Sequence, residues 1–195
     1  MDTETQTAPH SEGQAGADLE AMQRQLRRLT DRAEITDLLD RCLRSLDEGR
    51  FDEEWARALH TEDVTAEMPV GTVHGRDAVP ARVRRGMALF DRTVHLGTNA
   101  VIESDGDRAT ARGAQLSTHV LADGAEGAGD LFISAGHADS ELVRTPDGWR
   151  IAATSLRIVG TRGTPPRLPE NPGGLSGEYH PAPTRCGPAG GARIP

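Results

Sequence analysis

Apolar residues fall at three- and four-residue spacing through Leu19, Met22, Leu26 and Leu29, and Ile35, Leu39, Cys42 and Leu46 continue the stripe. That period predicts a long amphipathic first helix. Thr30 and Asp31 interrupt it, which marks an expected break, with either residue as N-cap of the second half and Glu34 as capping-box partner. Gly49 is the expected C-cap. Residues 52–60 predict a short second helix with Trp55 and Leu59 inward, 64–69 a strand turning at Pro69-Val70-Gly71 into Val73-His74-Gly75, and 76–90 a third helix with Val79, Val83, Met87 and Phe90 on one side. Beyond Phe90 the period changes to alternation, and 93–103, 109–121, 131–144 and 149–159 read as four long strands. Asp105-Gly106-Asp107 and Pro146-Asp147-Gly148 are hairpin turns, and a Gly-rich stretch over 122–129 joins the middle pair. Helical segments followed by consecutive hairpins indicate an α+β domain, three N-terminal helices packed on a curved, mainly antiparallel sheet.

The ends lack this patterning. Residues 1–16 are small and polar and read as a disordered leader, 17–161 as one domain, and 162–195 as a Pro/Gly-rich tail that holds Tyr179, the single tyrosine. A net charge of −8 with no basic block argues against nucleic acid and acidic membranes as partners. No apolar run approaches the roughly 18 residues of a membrane span, and a cytoplasmic location is expected. Cys42 and Cys186 are too few for a disulfide framework, and Cys42 on the apolar helix face reads as reduced and inert. The chain has no lysine, which removes Schiff-base chemistry, lysine bases and a P-loop lysine.

The chemistry-bearing residues are Asp47 at the end of the first helix, His95 and His119 on consecutive strands, and His137 with Asp139 on the next. Alternation places Asn99 on the face of His95, and Gln115, Ser117 and His119 on one face of their strand. A carboxylate beside a histidine stabilises the imidazolium and makes a better base. Asp47 opposes the helix macrodipole, which a histidine partner offsets; the alternative is a solvated turn residue in Asp47-Glu48-Gly49. His95 alternatively is a satisfied core histidine, His119 an exposed strand residue, and Asp139 with Glu141 the wet face of the sheet. His60 and His74 are expected at the surface. No His-x-His or His-x-x-x-His pair occurs, so no metal site is expected.

The order of these pieces resembles the SnoaL-like branch of the NTF2-like cone fold over residues 20–160. The resemblance rests on Arg44-Ser45-Leu46-Asp47 leading to Phe51-Asp52, Gly71 with Gly75-Arg76-Asp77-Ala78-Val79, Val94-His95-Leu96-Gly97-Thr98-Asn99, Gly106-Asp107-Arg108-Ala109 and Asp147-Gly148-Trp149-Arg150-Ile151. It implies, from scytalone-dehydratase-like members, that Asp47 pairs with His95 and that His119 completes the catalytic set. It further implies a pocket lined by Asn99, His137, Asp139 and Trp55, with Asp139 in the acid/base position used by some polyketide cyclases. Those dehydratases hold a water with tyrosines, whereas this core has none and Leu46 stands where one precedes the aspartate. The expectation is therefore a cofactor-independent cyclase, dehydratase or isomerase acting on a polyketide-like or cyclic carbonyl compound, as a homodimer or homotrimer. The alternatives are a non-catalytic binding or assembly protein and a β-subunit-like partner of a ring-hydroxylating oxygenase.

Overall fold

The computed structural model describes residues 10–68, 71–122 and 129–166. The Pro69-Val70 turn, most of the Gly-rich connection, and the tail with Tyr179 and Cys186 lie outside the described residues.

Helix α1 (His10–Glu48) is unbroken and starts inside the segment assigned to a leader. The expected break at Thr30-Asp31 does not occur. Asp31 does not cap; it is 4% exposed and pairs with Arg144 from the far end of the sheet. The helix penalty of Thr and Asp is only some tenths of a kcal/mol, which a buried tertiary contact readily overrides. Helix α2 (Glu53–Leu59) is capped by Asp52, whose Oδ1 accepts the Trp55 N–H at 2.7 Å. Strand β1 (His60–Met68) follows without a loop, so His60 is its first residue. Strand β2 (Gly71–His74), a 3-10 turn (Arg76–Ala78) and α3 (Val79–Met87) come next. Phe90, expected on α3, instead opens β3 (Phe90–Asp105). Strands β4 (Arg108–Leu121), β5 (Leu131–Thr145) and β6 (Gly148–Arg162) complete the domain.

The six strands form one sheet in the order β2-β1-β6-β5-β4-β3. Only the β1–β6 pairing is parallel. The helices cover one face, as the α+β pattern predicts, and the core there gathers Ile35 and Leu38 of α1 with Val64, Leu142, Trp149 and Ile151. Along β4 the inward positions are Ala109, Ala111, Ser117, His119 and Leu121.

Three features seat α1 on the sheet. Near its middle, Arg144 contacts Asp31, Glu34 at 3.4 Å and Asp107 at 3.3 Å, with its guanidinium 4.4 Å from the Trp149 ring centroid. At its end, Asp47 meets β3. Between them a Cβ on Gly97 would come within 2.7 Å of Leu43 Cδ1, so glycine there permits the close approach of helix and strand.

Candidate active site

Asp47 reaches β3 from the last turn of α1, and its carboxylate accepts three hydrogen bonds. Thr93 Oγ1 donates to Oδ1 at 2.8 Å, His95 Nδ1 donates to Oδ1 at 2.7 Å, and the His95 backbone N–H donates to Oδ2 at 3.1 Å. Thr93 and His95 are two apart on one strand, so alternation turns both towards the helix end. Burial raises the Asp47 pKa, but the His95 and Thr93 hydrogen bonds outweigh it and the carboxyl is held below its ordinary value. An ionised carboxylate only accepts, so Nδ1 of His95 carries a hydrogen and, in the neutral ring, Nε2 keeps its lone pair. The His95 side chain is 5% exposed.

His119 lies opposite Thr93 in the β3–β4 register, with its ring edge-on to His95 at 5.2 Å between centroids. It is sandwiched by Phe90 at 4.3 Å and Phe132 at 5.8 Å, and Nδ1 donates to the Phe132 carbonyl at 3.3 Å. Burial, then the nearby His95, lowers its pKa to about 4. His119 is thus neutral at neutral pH, and its Nε2 is an acceptor. Buried Ser117 sits across from His95, and Gln115 Nε2 donates to Ser117 Oγ at 3.1 Å.

Beside this cluster a cavity of about 480 Å³ runs between the helices and the sheet. Asp47, His95 and His119 do not line it; Leu46, Gly97 and Gln115 do. The dyad therefore lies outside the lining, with Asp47 next in sequence to Leu46 and His95 two residues from Gly97. Trp55 lines the cavity, its Nε1 donating to Ser45 Oγ at 2.7 Å. Ser45 Oγ in turn donates to the Cys42 carbonyl at 2.6 Å. Burial pushes the Cys42 thiol up to about 11, which leaves it protonated and inert, in line with its position on the apolar face.

Other placements differ from the sequence expectation. His137 and Asp139 are exposed on the opposite face of the sheet, because the inward phase of β5 runs through Phe132, Ser134, Ala138, Ser140 and Leu142. They do not join the cavity; Asp139 instead shares an outer depression with Glu67, Arg112 and Glu141. Asn99 is exposed at the cavity rim rather than beside His95. One extra β3 residue between Thr98 and Val101 forms a bulge, Asn99 takes φ 47°, and its Oδ1 accepts the Ala114 N–H at 3.2 Å. His60, assigned to the surface, is 5% exposed and lines the cavity. Its Nδ1 donates to the Ala56 carbonyl at 3.2 Å, so Nε2 is an acceptor, and burial lowers its pKa. Alternation gives no clue to this, because β1 slips register against β6 between His60 and Thr65 and Glu62 between them is exposed.

Among the described residues no three His, Cys, Asp or Glu side chains gather into a metal-holding group, and no helix is long and apolar enough to cross a membrane.

Residues 27–155 match the model of the SnoaL-like domain. A crystal structure of the Kfla4162 protein from Kribbella flavida is 30% identical with a TM-score of 0.64, covering 69% of this chain and 95% of that one. A putative scytalone dehydratase from Novosphingobium aromaticivorans is 22% identical with a TM-score of 0.63, covering 76% and 97%. A hexachlorocyclohexane dehydrochlorinase, LinA-type3 from Novosphingobium barchaimii, is 23% identical with a TM-score of 0.62, covering 73% and 93%. The last two share the fold of this chain, as does an NTF2-like superfamily protein from Salmonella enterica that is 21% identical with a TM-score of 0.61, covering 70% and 96%. None of the curated proteins matches the chain.

Proposed function

The chain belongs to the SnoaL-like family, and from that premise we propose that it is a cofactor-independent acid/base enzyme acting on a polyketide-like or other cyclic carbonyl compound. The observation that carries this reading is the 2.7 Å contact of His95 Nδ1 with a carboxylate already fixed by Thr93 and the His95 amide. In the proposed step, Nε2 of His95 takes a proton from carbon next to a carbonyl. The C–H electron pair becomes the enolate, and Asp47 stabilises the imidazolium. The protonated ring then returns the proton to another carbon, giving isomerisation, or to a leaving oxygen as the enolate expels it, giving elimination. In cyclisation the enolate carbon bonds to a second carbonyl carbon, whose oxygen takes the proton. Proton removal with loss of a leaving group is also the chemistry named by the dehydratase and dehydrochlorinase neighbours.

The lining of the cavity supports this substrate class. Its walls are largely apolar, with Leu39, Leu43, Trp55, Val83 and Ile151, and its polar lining includes His60, Gln115, Asn99, the charged Arg32, Asp40 and Arg82, and the Ser140–Thr154 hydroxyl pair at 3.1 Å. This suits a ring system with a few oxygen substituents. His119, neutral and clamped between two phenyl rings, is assigned to packing the base rather than to proton donation. Exposed Val94, Leu96 and Leu116 on the outer sheet face suit a homodimer or homotrimer contact.

The test needs no substrate identity. A panel of cyclic and aromatic ketones in D2O, followed by proton NMR, should show enzyme-dependent deuterium uptake next to the carbonyl, and His95→Gln should abolish it. Uptake unaffected by His95→Gln would overturn the mechanism. A second reading, a non-catalytic binding protein, is favoured by one observation: the dyad does not line the cavity. Ketones that bind tightly yet exchange no hydrogen would select it.

A further inference from the structure

The first half of α1 stands free of the domain. Every residue from 14 to 30 is exposed, and burial begins only at Asp31. A helix of this length in isolation is marginal in water, yet this one carries an apolar stripe. Leu19 is 56% exposed, Met22 69%, Leu26 64% and Leu29 56%. Their spacing of three, four and three is that of a coiled-coil seam, which Ala15 and Ala33 extend at either end.

We propose that this segment is a self-association arm that pairs antiparallel with the same segment of a second copy. Charge fixes the partner and the direction. The charges that flank this seam are Asp18 and Arg32, whereas Arg24, which pairs with Glu20 on its own helix, and Arg27 and Arg28 lie on the side away from it. A parallel pair sets Asp18 at the level of Asp18 and Arg32 at the level of Arg32. An antiparallel pair brings Asp18 of each arm to Arg32 of its partner. The seam agrees: with Leu19 against Leu29 and Met22 against Leu26, Asp18 and Arg32 fall on the same flank and face each other across the pair, once at each end. Arg32 also donates to the Ala100 carbonyl at 3.4 Å, so this flank joins the arm to the body of the domain. The contact is separate from the outer sheet face.

The experiment mixes full-length Asp18→Cys chains with Arg32→Cys chains, both in a Cys186→Ser background, and treats them with a short thiol cross-linker. The expected product joins position 18 of one chain to position 32 of the other. In a parallel pair those positions lie about 21 Å apart along the axis, and the products join like positions instead. Leu26→Asp should halve the particle mass by light scattering. Leu26 lies outside the core, so the variant should keep the wild-type thermal transition, which separates loss of association from misfolding. Cross-links between like positions, or no 18-to-32 product, or an unchanged mass in Leu26→Asp, would overturn the proposal.

Discussion

Helix α1 is tied to the sheet by two aspartates sixteen residues apart, and the two ties differ in kind. Asp31 meets Arg144, which also contacts Glu34 and Asp107 and lies over Trp149. Asp47 meets His95, backed by Thr93. Both place a carboxylate from the helix on a cationic or basic group of a strand. An arginine stays protonated at any accessible pH, so the first tie only holds structure. An imidazole can both accept and donate a proton, so the second tie can also move one. The same architectural device becomes a clamp or a base according to the partner's side chain.

The largest effects should fall on opposite observables. Asp47→Asn leaves a hydrogen-bond acceptor but removes the charge that stabilises the imidazolium, and its amide can reverse the His95 tautomer. Deuterium exchange should slow by about 10²–10⁴-fold, with a melting temperature close to wild type. Next, Arg144→Met strands Asp31 without a partner. Chemical denaturation should show a loss of about 3 kcal/mol, while exchange per folded molecule stays unchanged. Should Arg144→Met slow exchange as strongly as Asp47→Asn, the division between clamp and base would collapse.

A smaller effect separates His119 from the base it packs against. Its pKa is lowered to about 4 in the fold, against 6.5 for an ordinary histidine. As pH falls below 6.5 the unfolded chain takes up a proton that the folded chain refuses, so this group's contribution to stability is intact above 6.5 and drains away down to about 4. His119→Phe keeps the aromatic stack and removes the titration. Its stability should decline less between pH 6.5 and 4 than that of wild type, as followed by denaturation at stepped pH. An identical slope in both proteins would show that His119 is not the group responsible.

Much of this was legible in the chain because it depends on local rules. Alternation and the Asp-Gly turns place β3 to β6, and Asp47 with His95 stand out because a carboxylate at a helix C-terminus needs a partner. What was not legible depends on distant contacts or on a change of phase. The Thr30-Asp31 capping pattern is locally sound, but Arg144, 113 residues away, holds Asp31 inside a continuous helix. On β5 the inward positions Ser134, Ala138 and Ser140 are small or polar because part of this face lines a cavity, so hydrophobicity does not reveal which face is buried. His137 and Asp139 looked equally eligible for that reason. Asn99 left the His95 face through a one-residue bulge that composition does not announce. His60 was missed because its strand begins four residues before its apolar pattern does.

The smallest prediction asks whether the two ties are mechanically independent. Gly97 lies under α1 between them, and a Cβ there meets Leu43 Cδ1 at 2.7 Å. Because the obstacle is the end of a flexible side chain, Gly97→Ala should cost only about 1 kcal/mol. Leu43 also lines the cavity, so the displaced side chain has somewhere to go. If the ties are independent, the Asp31–Arg144 clamp absorbs the shift, and exchange changes less than about threefold. If α1 moves as one rigid body, lifting its centre also lifts Asp47 from His95. An error of about 1 Å at that contact is enough to cost on the order of 10²-fold in rate. Measuring exchange and denaturation on Gly97→Ala together distinguishes the two: a small stability loss with exchange nearly intact leaves clamp and base separate, and a large exchange loss at the same stability makes them one device.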